Sequence, residues 1–443
     1  MNKLKYIFIL LITAGWAGQS VAQKAITLME AVDMALANSH QLKLDHAKID
    51  QRYAALKESE ERKLPNASVS ASYLRLANAN VDYKIKSSGS SGQGGGFPSV
   101  NSAVYGLLNA SLPIYAGGRI KYGIEAARIL ADAAKLDSTH QRQDIIMNTV
   151  ESYVNLCKAR AALKLMNQNL EDAKQRVTDL ANLEKNGILA KNDLLKAELQ
   201  QSNVESSVVD AEDNWQLANA SMDILIGMAD GTMLNPDTSE LSRKVNPGSL
   251  PDYLSMSNKR LDMESLEKSK QAADINIKSI MAEKLPSLQL TAGYVAADIP
   301  KVLSITNAAN LGLGVSYNIA NLWKLKSRIA QAEAYKKQIE ESEAILNDNI
   351  KQVINKNYYS MLSTQKKVEV YTKAIEQATE NQRITKNKFI NSLATTTEVL
   401  DADVALLQAR LGSSFYRADA LVAYFKLLHS AGLDLYKELQ NKN

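Results

Sequence analysis

The sequence predicts a mainly α-helical chain whose membrane-spanning part is a small set of β-strands, four per molecule. Three observations predict it. The chain repeats itself, four short segments alternate apolar with small uncharged residues, and the helical stretches are far longer than a globular domain needs.

Composition sets the frame. Five Phe and eight Pro among 443 residues are few, while Ala, Leu, Lys, Gln, Asn and Glu abound, which suits long helices better than compact domains. Beyond the N-terminus no stretch approaches ~20 unbroken apolar residues, the length a membrane helix requires. Any passage through a bilayer must therefore use strands. The formal charge of +4 lacks the concentrated basic excess that nucleic acid demands.

The first residues read as an export signal at 1–22. Lys3 and Lys5 precede the mostly apolar Tyr6 to Gly18, and Ser20-Val21-Ala22 supplies a small-x-small cleavage site. The mature chain then starts near Gln23, with a formal charge of +2, and with no Cys after the site to carry a lipid. The single cysteine, Cys157, cannot form an internal disulfide. Its neighbours Tyr153, Val154 and Leu156 make a buried, inert thiol the better reading than a redox site.

Two copies follow, at 23–227 and 256–443, joined by an irregular linker at 228–255 that contains Gly231, Pro236, Pro247 and Pro251. Lys63-Leu64-Pro65-Asn66-Ala67-Ser68-Val69 recurs as Lys284-Leu285-Pro286-Ser287-Leu288-Gln289-Leu290. Tyr153-Val154-Asn155-Leu156 matches Tyr358-Tyr359-Ser360-Met361. Gly187-Ile188-Leu189 before Asp193-Leu194-Leu195 matches Ser392-Leu393-Ala394 before Glu398-Val399-Leu400. The offset drops from 221 to 205, and the shortening falls opposite the Gly/Ser tract Ser87–Gly96 of the first copy. An exposed loop tip tolerates such a change.

Each copy reads helix, two strands, very long helix, turn, helix. Thr27-Leu28-Met29-Glu30 has capping-box form and opens a helix expected to reach Lys63, where Pro65 ends it. Its counterpart runs from about Arg260 to Lys284, ended by Pro286. Strands are expected at about 65–84, 100–115, 286–298 and 308–320. Ala67, Val69, Ala71 and Tyr73 alternate with Ser68, Ser70 and Ser72; Leu311, Leu313, Val315 and Tyr317 alternate with Gly312, Gly314 and Ser316. The uncharged second face, small and polar rather than ionic, is that of a membrane barrel. Four strands cannot close one, and lipid does not tolerate open edges, so several chains must contribute.

The long helices are expected from about Gly118 to Leu183 and from Trp323 to Lys388. Apolar positions such as Leu163, Met166, Leu170, Ala173, Val177 and Leu180 recur at steps of three and four, as in coiled-coil-like packing. About 65 residues of helix would span ~100 Å. Gly117-Gly118-Arg119 breaks the strand before the first of them. The tail from Leu433 to Asn443 turns polar and is expected to be loose.

Catalytic, cofactor and metal sites are not expected. His40, His46, His140 and His429 stand apart and read as surface residues without zinc spacing. Gly92 to Gly96 is no phosphate loop, since no Lys-Ser/Thr follows it, and Asp401 with Asp403 forms no calcium loop.

Over essentially its whole mature length the chain resembles the TolC-like outer-membrane efflux proteins. The carrying segments are Thr27-Leu28-Met29-Glu30-Ala31-Val32, Ala35-Leu36-Ala37-Asn38, Leu64-Pro65 and Leu285-Pro286 before strands, and above all Thr396-Thr397-Glu398-Val399-Leu400-Asp401-Ala402 after a helix–helix turn. The resemblance implies a homotrimer with a twelve-stranded outer-membrane barrel, continued by a periplasmic tube of helices. Its partners would be outer-membrane lipid, a periplasmic adaptor and an inner-membrane pump, in efflux or type I secretion. It places acidic residues of a pore constriction on Glu398 and Asp401, which the residues alone, without the resemblance, read rather as a solvated helix face. It aligns Asp193 with a position that in family members helps hold the entrance shut. Here Phe389 stands where the family has Tyr and Ala394 where it has Arg, so that latch cannot form. The turns Gly187-Ile188-Leu189 and Ser392-Leu393-Ala394 are the implied adaptor contact, or else plain helix–helix turns. A soluble periplasmic coiled-coil scaffold or adaptor is the competing reading.

Overall fold

In the computed structural model, residues 24–77, 101–229, 231–242, 248–300 and 303–440 are described. The expected leader at 1–22, the tract Ser87–Gly96 and the strand portion 78–84 lie outside them.

Thr27 opens the first helix as its sequence requires. Its hydroxyl accepts from the Glu30 amide at 3.2 Å, and Glu30 accepts in return from the Thr27 amide at 2.9 Å, so two otherwise orphaned donors are satisfied. Helix α1 (Leu28–Asn38) buries Leu28, Ala31, Val32 and Ala35. The single helix expected to Lys63 is instead broken at Ser39, which is extended at ψ 116; α2 spans His40–Glu61. The break is held from outside, because the Asn38 side-chain Nδ2, which also donates to Met34 O of its own helix at 3.0 Å, donates to Ile226 O at 2.7 Å.

The elements that follow are β2 (Asn66–Arg75), β3 (Ser102–Tyr115), α3 (Arg119–Lys185) and α4 (Lys191–Ile226). After the short α5 (Leu250–Met256) come α6 (Leu261–Met281), β5 (Ser287–Ile299), β6 (Leu303–Ser316), α7 (Asn321–Ile390), α8 (Thr396–Ser430) and α9 (Leu435–Gln440). Helix α3 has 67 residues and α7 has 70. No described helix is long and apolar enough to cross a membrane.

Contacts divide the chain into two units, one made of Ala47–Lys135 and Glu264–Ala344, the other of the remaining segments. The first unit carries an antiparallel sheet of order β2-β3-β5-β6. Its register aligns Ala67, Ala110, Ala292 and Leu311 in one row, and Ser68, Asn109, Gly293 and Asn310 in the next. Period-two alternation thus becomes an apolar face and a small polar face. A side chain on Gly293 would meet Asn310 Oδ1 at 2.7 Å, so the Asn310 side chain lies across the space that the glycine leaves. The apolar side chains are bare: Val69 is 80% exposed and Leu311 75%. Strand β6 starts earlier than expected and stops at Ser316, not 320. Asn318 ends the ladder by accepting from the amides of Ala320, at its side chain, and of Asn321, at its backbone.

The second unit holds the apolar core, with Ile146, Tyr153, Met222, Ile354 and Phe425 buried in it. Three expectations are corrected here. The linker 228–255 is not irregular throughout, since β4 (Leu234–Pro236) pairs in parallel with β1 (Lys24–Ile26). The fully buried Tyr153 hydroxyl lies 2.9 Å from Ile26 O and 2.8 Å from Asp237 O, beside that pairing. The tail is docked, not loose: Asp434 accepts from the Tyr436 amide at 3.1 Å, and α9 buries Leu435 and Leu439. The histidines do not all stand apart. His140 and His429 stack with ring centroids 6.0 Å apart, and His429 lies 2.8 Å from Asp144. Cys157 is buried as expected, and desolvation pushes its thiol up to about 12.

Candidate functional site

Two helix–helix turns share one backbone design. After α3, Gly187 adopts φ 73, its amide donates to Glu184 O at 2.8 Å, and the Ile188 amide reaches back to Leu183 O at 2.9 Å. After α7, Ser392 adopts φ 62, its amide donates to Phe389 O at 2.9 Å, and the Leu393 amide reaches Lys388 O at 2.7 Å. Both are left-handed helix caps of the Schellman type. Serine fits that conformation worse than glycine, by ~1–2 kcal/mol before glycine's greater unfolded-state freedom is counted. Ser392→Gly is therefore expected to stabilise the second turn by ~0.5–1 kcal/mol, read as slower hydrogen exchange at the Leu393 amide. Unchanged or faster exchange would contradict it. The matching side chains Ile188 and Leu393 are 70% and 76% exposed, while Leu189 and Ala394 are half-buried.

Beyond the second turn Thr395 caps α8. Its backbone amide donates to Glu398 Oε2 at 2.6 Å and its hydroxyl accepts from the Glu398 amide at 3.3 Å. The Thr395 amide, and second the Thr395 hydroxyl, which also donates to Glu398 Oε2 at 2.9 Å, hold the Glu398 carboxyl below the usual carboxylate range. Glu398 stays exposed, and so does Asp401 three residues on, which has no partner among the described residues. The first copy differs. Its cap is Ala190, which makes no side-chain bond, and Asp193 pairs at 3.0 Å with Lys196 of its own helix. Among the described residues Asp193 makes no bond to the second hairpin.

Phe389 is half-buried and lines a cleft of about 370 Å³ with Leu180, Leu183 and Val399, so it reaches toward α3 and α8. Ala394 adds no polar bond there. The tie between hairpins that sequence reasoning missed lies higher. Arg176 of α3 meets Asp403 of α8 at 2.5 Å, and Gln382 of α7 donates to the same carboxylate at 2.6 Å. Each member of the ion pair keeps 17% of its side chain exposed. Arg176 and Asp403 stand eleven residues from Gly187 and Ser392 respectively. That symmetry about the two turns was the signal available in the sequence. Among the described residues no group of three His, Cys, Asp or Glu is placed to hold a metal.

A sheet that bares an apolar face, together with helices of 67 and 70 residues, defines an outer-membrane channel of the strand-and-long-helix class. The chain belongs to the outer membrane efflux protein family, whose model matches residues 31–228 and 255–433. That family is one of transport ducts, not enzymes. No curated protein matches the chain in sequence. Solved structures match it in fold. The outer membrane protein VceC of Vibrio cholerae is 18% identical at TM-score 0.75, covering 91% of this chain and 96% of its own. CusC is 18% identical at TM-score 0.79, covering 92% of each chain. The CmeC outer membrane channel of Campylobacter jejuni is 17% identical at TM-score 0.74, covering 93% of this chain and 88% of its own.

Proposed function

We propose that this outer-membrane efflux duct works as a homotrimer. Four strands from each copy would close a twelve-stranded barrel, and the long helices would continue it as a periplasmic tube. Its duplicated helix–hairpin–long helix–helix unit would supply the pseudo-symmetry of that tube, and residues 1–22 would be removed on export. Substrates would arrive from an inner-membrane pump through a periplasmic adaptor, in a tripartite efflux or type I secretion assembly.

One observation carries this reading. Strands β2 and β6 lie at the two ends of the sheet order, each with a free edge among the described residues, while the apolar face is bare. In hydrocarbon each unpaired backbone group costs several kcal/mol, so the edges call for neighbours. The turns with exposed Ile188 and Leu393 suit the adaptor contact. Glu398 and Asp401 from three copies would ring the entrance with carboxylates, a field that draws cations and resists anions. Packing of Phe389, rather than the family's polar latch, would help close it. The competing soluble scaffold is disfavoured, because its strands would have to be capped from within.

Fractionation tests the reading. Heat-sensitive trimers should appear in detergent extracts of outer membranes. A monodisperse monomer released by a detergent-free wash would sink it.

A further inference from the structure

Some cations of α3 and α8 sit against carboxylates, as Lys158 does with Asp419 at 2.8 Å and Arg176 with Asp403 at 2.5 Å. Four that share one cleft do not. Arg160 and Lys164 of α3, and Arg410 and Arg417 of α8, have neither an ion pair nor a hydrogen bond among the described residues. All four line one cleft of about 860 Å³. Their spacings, four residues on α3 and seven on α8, keep each pair on one helix face. Asp237 is the acid on the same lining, and its carboxylate already accepts from the Ser239 amide at 2.9 Å and hydroxyl at 2.8 Å.

Four cations against the single Asp237 carboxylate leave the concavity with a positive excess, and such a cleft concentrates anions. Guanidinium forks match the oxygens of phosphate and carboxylate groups. The volume suits a small molecule better than a single chloride. We propose that this cleft is a binding site for a polyvalent anion bearing phosphate or carboxylate groups. The assignment is separate from the transport reading and does not require it.

Calorimetric titration of the full-length, detergent-solubilised protein tests it, with inorganic tripolyphosphate and citrate as probes. Saturable binding of at least one is expected, and the stronger probe identifies the group preferred. Arg410→Gln and Arg417→Gln should each weaken it about tenfold, equivalent to ~1.4 kcal/mol, whereas Lys158→Gln, outside the cleft, should not. Binding unchanged in the double arginine variant would overturn the proposal. So would the absence of saturable heat, the outcome expected if an acidic segment of another chain already fills the cleft. If the arginine variants fold poorly, the unsubstituted protein decides. Tripolyphosphate should raise its thermal midpoint more than sodium chloride at equal ionic strength, and equal shifts would refute the site.

Discussion

Glu398→Gln combined with Asp401→Asn is expected to lower the cation-to-anion permeability ratio in planar bilayers by roughly an order of magnitude, the scale on which one-signed clefts concentrate ions. Block by multivalent cations should weaken alongside it. The substitution is clean because glutamine keeps the capping box. Its side-chain oxygen can still accept from the Thr395 amide, so helix α8 starts as before. What changes is charge. Asp193→Asn should do less, because Lys196 already offsets that carboxylate at 3.0 Å. The pH dependence follows from the same bonds. The folded-state carboxyl of Glu398 is held below its ordinary value of 4.5, so its stabilisation of the cap is fully present above that value. It is lost only as pH falls through the lowered one. Glu398 should therefore still favour cations in mildly acidic solution, after ordinary glutamates have begun to protonate. Unchanged current and block in the double variant would refute the acidic ring.

Gly117→Ala should cause the largest loss of stability among single-residue changes at the strand-to-helix junctions. At φ +64 its new Cβ would stand 2.5 Å from Ala282 O and 2.9 Å from Leu285 Cβ. The left-handed backbone alone costs ~1–2 kcal/mol, and the clash is with backbone that cannot swing aside, so a total of ~3 kcal/mol or more is expected. Gly123, inside α3 with nothing within 4 Å of its virtual Cβ, provides the opposite case. Gly123→Ala should stabilise by ~0.5–1 kcal/mol. The thermal unfolding midpoint of the detergent-solubilised protein ranks the two. A shift of equal size and sign in both would remove the role assigned to Gly117.

Much of this was legible in the residues because its causes are local. Thr27 and Glu30 are three residues apart, and their reciprocal bonds formed as the spacing required. Alternation along Ala67, Val69, Ala71 and Tyr73 needs only the pleat to become a face. Runs without proline, and with scarcely a glycine, gave α3 and α7 within a few residues of their ends. The candidate site was legible in part. The turns at Gly187 and Ser392 were located, yet the cap that binds Glu398 and the pairing of Asp193 with Lys196 went unremarked, although both are local.

The chain by itself determined the element types and which side of each strand is greasy, because steric preference and side-chain period act between near neighbours. Only the tertiary structure decided the break at Ser39, the pairing of β1 with β4, the docking of α9, the stacking of His140 on His429, and the joining of Arg176 to Asp403. Each depends on groups far apart in sequence, such as Asn38 with Ile226, 188 residues on. A contact between distant residues leaves no periodicity to read. It exists once backbone closure has brought the partners within ~3 Å, where a hydrogen bond or ion pair gains its strength.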